Sequence, residues 1–547
     1  MSNIYDKASL VLIPSGTKTS KVYSQKPVNG DGDFTFSRST AATRVNADGN
    51  IEKETQNLLL QSNTFNTTWV LESGDYTIAS GQSGYDGSSD AWLLTKASTD
   101  NRYLIQSGLT NIGVVTLSIY AKAGTADGIM IYSHGGYGRW NLSTGVQINS
   151  GGDKIDTNIE SVGNGWYRCS VVSQGTGVFF VKVVDSSGVE TAGSIYIQDA
   201  QVEQGLVARD YIETTTAAVE GGITDNVPRL DYTDSSCPSL LLEPSRTNLV
   251  TQSEYFGGSD WVSSSNVTIT DNVTTSPEGV QNAALINFTS GGNYFQNGGG
   301  VMVSGNTYTI SCYVKRALST DQVFKIYGNG NIVSGNFTAT SEWQRFTYTF
   351  TAASTNFSCG LTTPSICQIH LYGFQVEQAT YPTSYIPNHS GGSVTRGVDF
   401  NKATNQQANI NSVEGTLFID TTLDVIENAM FLAGIYGGGN ELYFTTFSSD
   451  RFRMVHYYGS TQALIVSNTF STGRFKMLLT YKNNDWKFYI NGVLQGVDTS
   501  GTFDGTNMSS FATSYTSSSA YSPNQKVHQL LYFDEILSDA DCITLTT

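Results

Sequence analysis

The sequence predicts an all-β protein built from tandem β-sandwich (jelly-roll) domains, and three observations predict it. The first is internal repetition. Residues 57–70 read NLLLQSNTFNTTWV and residues 248–262 read NLVTQSEYFGGSDWV. Downstream, LSIYAKAG at 117–124 answers YTISCYVKRA at 308–317, and WYRCSVV at 166–172 answers WQRFTYTF at 343–350. IYIQDAQVEQGLVARDYIETT at 195–215 answers IHLYGFQVEQATYPTSYIPNH at 369–389. A period this long marks duplicated domains, since solenoid repeats are far shorter. The second is composition: charged residues are 14% of the chain, beside 55 Gly, 30 Tyr and 26 Phe. Aromatic and β-branched residues suit a pleated face, and glycine and asparagine supply the positive φ of tight turns. The third is the lack of a sustained 3.6-residue apolar period; only VEGG at 219–222 and FDEILSDADCITL at 533–545 allow a short helix or turn.

Taken in order, residues 1–56 read as a leader for attachment or oligomer contact. SLVLIPSG at 9–16 and FTFSRSTAATRV at 34–45 are its strands, and NADGN at 46–50 its turn. The first repeat spans 57–215, with alternating runs such as TLSIYAKA and GVFFVKVV separated by GT, GG and NG turns. Residues 216–239 form a proline-bearing connector, 240–390 the second repeat and 391–404 a turn-rich junction. Residues 405–547 form a third module of alternating strands. Its block KMLLTYKNNDWKFYINGVLQ carries Asn491-Gly492, the strongest two-residue hairpin signal in the chain.

A formal net charge of -17 argues against a grip on phosphate backbones and so against nucleic-acid partners. No stretch approaches the ~20 apolar residues of a spanning helix, so membrane insertion is not expected. The first residues have neither a basic region nor a long apolar run, which points to synthesis in the cytosol. The cysteines at 169, 237, 312, 359, 367 and 542 lack C-x-x-C spacing and nearby histidines, so zinc is not expected. Buried free thiols are the reading, including Cys359 and Cys367, although a hairpin disulfide between that pair stays open.

Glycan binding needs an aromatic ring beside amides or carboxylates. SHGGYGRWN at 133–141 offers His134, Tyr137, Arg139, Trp140 and Asn141, although Trp140 also reads as a core residue of a strand. Tyr436, Tyr457 and Tyr458 beside glycines are further candidates. The pairs Trp69 with Trp261 and Trp166 with Trp343 fall at matching points of the repeats, which favours shared packing roles. No cofactor is expected; a structural calcium ion is the one metal the sequence leaves open, with GYDGSSD at 84–90 as its turn. A polysaccharide hydrolase needs two carboxylates in one cleft. Asp420, Asp424 and Glu427 are the densest local group, yet their spacing reads as a strand running into a turn. No G-x-S-x-G, H-E-x-x-H or P-loop motif occurs, so no catalytic residue is assigned.

The W-x-x-Y-x-N-G core formed by Trp486, Tyr489, Asn491 and Gly492 resembles the laminin-G and concanavalin A-like lectin superfamily over residues 405–547. More broadly, residues 8–49, NVPRLDYTDSSCPSLLLEPSRTNL at 226–249 and VEQATYPTSYIP at 376–387 resemble fibre and appendage proteins of phages infecting Bacteroidetes. The central repeats are similar to the galactose-binding-like, carbohydrate-binding-module jelly rolls of those proteins. The first repeat departs from the second: it lacks a PRLDYT-type lead and has VARDYIETT where the second has TSYIP. The resemblance implies a virion protein, a tail or head fibre, assembled in the host cytoplasm and released by lysis. Other virion proteins and a host cell-surface glycan are its implied partners. A homotrimer is expected, because the strands leave edges to cover and no heptads supply a stalk. Capsid decoration without a receptor is the alternative, and a depolymerase is disfavoured.

Overall fold

A computed structural model describes residues 4–109, 113–175, 177–330, 332–514 and 523–547. The chain is almost wholly antiparallel β-sheet and divides into two units. One, the repeat unit, comprises Glu54–Gly222 and Thr247–Val394; the other, the composite unit, comprises Met1–Lys53, Ile223–Arg246 and Thr395–Thr547.

In the repeat unit each copy is a sandwich of two sheets, and the five strands common to the two front sheets run in the same order, the first copy adding Lys154–Gly163 at one edge. The front sheet of the first copy runs Lys154–Gly163, Trp166–Gln174, Val114–Ala123, Gly193–Gln204, Ala91–Lys96, Tyr76–Gln82. That of the second runs Gln344–Thr351, Thr307–Arg316, Cys367–Glu377, Gln281–Phe288, Val267–Thr275. Fine contacts repeat as well. Trp69 and Trp261 each donate the ring N–H to a main-chain carbonyl, of Gln61 and Gln252, at 2.9 Å. Asn57 donates to the Ile212 carbonyl (2.8 Å) and accepts from the amides of Leu59 and Val202; Asn248 does the same with Ile386 (2.9 Å), Val250 and Val376. Trp166 lies opposite Lys122, and Trp343 stands beside the corresponding Lys315, 4.9 Å from its ammonium. Their surroundings differ, since Trp166 is buried and Trp343 half-buried.

The Q-V-E segment common to both copies explains how each chain end is held. Gln201 donates to Glu203 and Gln375 to Glu377, both at 2.7 Å, while the amide oxygens accept from the main chain of Ile212 and Ile386. Buried polar groups must be paired, and this ladder pairs the returning segment with the inner strand it crosses. Repetition of QVEQ in the sequence therefore records a clamp.

In the composite unit residues of the leader and of the connector supply strands to the third module. Leu10–Leu12 pairs with Gln525–Phe533, and Phe34–Ser37 pairs with Phe400–Ala403. Arg229–Asp231 and Ser239–Leu242 extend the sheet of Gln525–Phe533, Gly415–Leu423 and Gly473–Tyr481. Leu10, Leu12, Phe34, Phe36, Leu240 and Leu242 share one core with Leu417, Met477 and Trp486. The apolar run at 9–16 thus finds its partner surface within the chain, and removing residues 1–56 strips strands from this unit. Residues 219–221 form a strand, and Asp539–Thr546 the expected terminal helix, with Ser538 accepting from the Asp541 amide as its cap. Asn491 and Gly492 have φ of 46° and 79° and join Ile490 to Val493 in the expected two-residue hairpin.

Five charged side chains, each at most 2% exposed, tie these segments together. Asp399 pairs with Arg38 at 3.1 Å and with Arg229, and accepts from the Glu243 amide at 2.9 Å; Glu243 pairs with Arg229 at 2.6 Å and with Arg396. Desolvation brings the Arg38 guanidinium down to about 10, opposed by Asp399. All six cysteines are free thiols, five of them buried and Cys237 exposed. Among the described residues no helix is long and apolar enough to cross a membrane.

Candidate functional site

Strand alternation separates the residues of the 133–141 segment. Along Gly136–Asn141, Trp140 points inward and is wholly buried, while Tyr137, Arg139 and Asn141 point outward. The Trp140 ring lies over Gly138, where a Cβ would sit 2.3 Å from it, so glycine is required there. His134 is also buried, its Nδ1 2.6 Å from the Ser133 hydroxyl, and burial lowers its pKa. His134 and Trp140 are therefore packing residues, a correction to the expected site. Tyr137 keeps an outward position opposite Tyr132 with the Arg139 guanidinium 4.6 Å from its ring. Beyond it Tyr132, Phe180 and Tyr103 stack in series, with centroids 4.4 and 4.7 Å apart. Phe180 is the ring stacked on both neighbours.

In the composite unit the structure brings Tyr436 and Tyr457 together. Tyr436 lies opposite Glu441, and Glu441 opposite Tyr457, on three adjacent strands, while Ile435, Leu442 and His456 face the core. Tyr457 and Tyr458 are exposed. The outward row Tyr436–Glu441–Tyr457 places a carboxylate between two aromatic side chains. Asp420 lies elsewhere, in a two-pronged pair with Arg474 at 2.8 and 2.7 Å, and Asp424 is near Lys526 at 3.5 Å.

The outward faces of the two front sheets carry an arrangement that a search for local clusters misses. In the first copy Tyr196, Lys122 and Trp166 form one cross-strand row, and Gln198, Tyr120 and Arg168 the next. In the second copy the matching rows are His370, Lys315, Trp343 and Tyr372, Tyr313, Arg345. Each arginine sits over its tyrosine, at 5.3 and 5.5 Å, and donates to the serine two residues before that tyrosine on the same strand, Ser118 or Ser311. The legible signal is S-x-Y-x-K followed by W-x-R in both copies, in which the polar and aromatic residues alternate with core residues.

The first platform is shut by its own chain. Tyr85 stacks on Tyr120 with centroids 3.8 Å apart and planes 3° apart, and meets Trp166 edge-on. The 84–90 turn expected to hold calcium closes on Gln198, whose amide donates to Asp86, Ser88 and Asp90 at 3.3, 3.2 and 2.8 Å. Among the described residues no group of three or more His, Cys, Asp or Glu is placed to hold a metal ion. Among the described residues no ring stacks face to face on the second platform; Tyr372 is buried edge-on against Tyr385 at 5.4 Å, while Trp343, Tyr313, His370 and Lys315 are half-buried. Burial, with Lys315 adding, lowers the His370 pKa and keeps the imidazole neutral near pH 7.

Beneath the closed turn, Asp199 accepts from the Tyr85 hydroxyl at 3.0 Å, and burial drives its carboxyl up to about 7; the Tyr85 bond opposes this, while Asp90 and Asp86 add to it. An unfolded aspartate titrates near ~3.9, so the native state binds the extra proton and its stability falls as pH rises from about 4 through about 7. Asp199→Asn is expected to melt above the parent protein at pH 8, with the gap shrinking by pH 5. A gap that is constant across that range in calorimetry contradicts the assignment.

No family model matches the chain, and no curated protein matches it. Among solved structures, the CBM22-1 xylan-binding domain of Paenibacillus barcinonensis Xyn10C is 14% identical, with TM-score 0.21, over 26% of this chain and 99% of that one. Trypanosoma rangeli sialidase is 9% identical, with TM-score 0.23, over 93% and 98%. The LG1-3 region of the laminin alpha2 chain is 10% identical, with TM-score 0.15, over 79% and 95%. Likenesses this slight bear no weight on function; the chain's own sheets make it an all-β protein of β-sandwich domains.

Proposed function

We propose that this chain is a non-catalytic glycan-binding protein, and that it serves as a fibre or appendage component of a phage virion adhering to a host-surface polysaccharide. The observation that carries the binding reading is the pair of matched platforms, one covered by Tyr85 and the other open with Trp343 and Tyr313 half-buried. Partly exposed rings offer apolar faces to sugar C–H groups, and Lys315, Arg345 and His370 supply polar contacts around them. The Tyr436–Glu441–Tyr457 row adds a second surface of similar chemistry. Weak sites gain strongly when several act at once, which suits display on an oligomeric, trimeric fibre. The virion setting is supported by the resemblance of residues 8–49, 226–249 and 376–387 to phage appendage proteins.

Electrophoresis of the full chain through gels containing bacterial capsular polysaccharides tests the binding reading. Retardation is expected with at least one polysaccharide, reduced at least tenfold in affinity by Trp343→Ala combined with Tyr313→Ala. Equal retardation of parent and variant by every polysaccharide overturns the platform as the site.

A further inference from the structure

A cavity of about 350 Å³ lies between the two copies inside the repeat unit. Its walls are the outward face of Lys154–Gly163 and Trp166–Gln174 in the first copy and the Val267–Thr275 strand in the second. Asp156, Arg168, Asp271 and Asn272 line it, with Asn158 and Glu160 exposed at the rim. It is some ten times the ~30 Å³ share of one water molecule, and it falls in the range of small-ligand sites.

Asn272 is the informative residue. It is 8% exposed and occupies a β-bulge at φ 56°, a conformation that favours glycine; the corresponding bulge of the first copy has Gly81 at φ 79°. Its Nδ2 donates to the Leu206 carbonyl at 2.9 Å and to Asp156 at 3.1 Å, but its Oδ1 is buried without a partner. The Nε of Arg168 is likewise buried and unpartnered. An unmet buried acceptor costs about 1–3 kcal/mol, so a buried side chain with its carbonyl unmet points to something outside the chain that meets it.

We propose that this cleft binds one residue of a neutral, polyhydroxylated sugar chain, with a hydroxyl donating to Asn272 Oδ1 and others to the Asp156 and Asp271 carboxylates. The class rests on the glycan-binding reading above, whereas the site is separate from the open platform. Asp156, Glu160 and Asp271 outnumber the single guanidinium of Arg168, which disfavours an acidic sugar. Among the described residues no aromatic side chain lines the cleft, so recognition is by hydroxyl hydrogen bonds.

Calorimetric titration of the full chain with xylotetraose, cellotetraose, mannotetraose and tetragalacturonate tests the proposal. At least one neutral tetrasaccharide is expected to bind. Asn272→Gly, which keeps the positive φ and removes the carbonyl, is expected to weaken that binding at least tenfold, as is Asp156→Asn. Trp343→Ala should leave a residual neutral-sugar isotherm that Asn272→Gly then abolishes. Parent-like binding by both cleft variants, with loss in Trp343→Ala alone, overturns the cleft and leaves the platform reading standing. Binding of tetragalacturonate alone, or of none of the four, overturns the proposal.

Discussion

Replacing Asp399 with alanine is expected to destabilise the composite unit by about 3–5 kcal/mol, the largest effect of any single change considered. The carboxylate meets Arg38 and Arg229 and the Glu243 amide where none of the groups reaches water. Its removal leaves three buried guanidinium groups facing one carboxylate, Glu243. Breaking a buried pair costs more than the pair contributes, because the orphaned charge has no solvent to turn to. The loss should appear in hydrogen exchange as faster labelling of Phe34–Ser37, Arg229–Asp231 and Phe400–Ala403, the strands that hold or adjoin Arg38, Arg229 and Asp399. Unchanged exchange there, with a melting shift worth under about 1 kcal/mol, contradicts the role given to the cluster.

Asn248→Ala is expected to cost about 3 kcal/mol or more. The substitution strands the Val250 and Val376 amides and removes a donor from the Ile386 carbonyl, each unmet buried group costing about 1–3 kcal/mol. Asn57→Ala should cost a similar amount, since Leu59, Val202 and Ile212 depend on it in the same way. Denaturant unfolding of the two variants compares them directly. A large loss in one copy and none in the other contradicts the equivalence of the repeats.

Much of the architecture was legible because strand periodicity and duplication are local signals. The runs at 117–123, 308–316 and 474–490 alternate and are strands, and Asn491-Gly492 turns as its residue types require. The limits of the two repeats were legible, 57–215 and 240–390 against Glu54–Gly222 and Thr247–Val394, but the joining of residues 1–53 and 223–246 to the third module was not, because strand pairing across hundreds of residues leaves no local trace. Leu10–Leu12 reads as a short apolar run, and only its pairing with Leu530–Tyr532 shows it to be part of a distant sheet. Arg38, Arg229, Arg396, Glu243 and Asp399 read as ordinary polar residues in turn-rich segments, and their meeting in one dry cluster is a tertiary fact. The site was half legible. Glycine-rich surroundings drew attention to His134 and Trp140, but strand alternation turned Trp140 into the core. The outward residues of S-x-Y-x-K and W-x-R repeat in plain view, yet the two motifs lie 44 residues apart in the first copy (Lys122 to Trp166) and 28 in the second (Lys315 to Trp343), and they join only across strands.

Tryptophan emission of the full chain, recorded while adding a polysaccharide that retards it in gels, tests the central claim most directly. Trp343 is half-buried, whereas Trp69, Trp92, Trp140, Trp166, Trp261 and Trp486 are buried, so a sugar covering the open platform is reported by one ring. The account predicts a saturable blue shift that disappears in Trp343→Phe. An identical shift in that variant, or saturable binding with no change in emission, would contradict it.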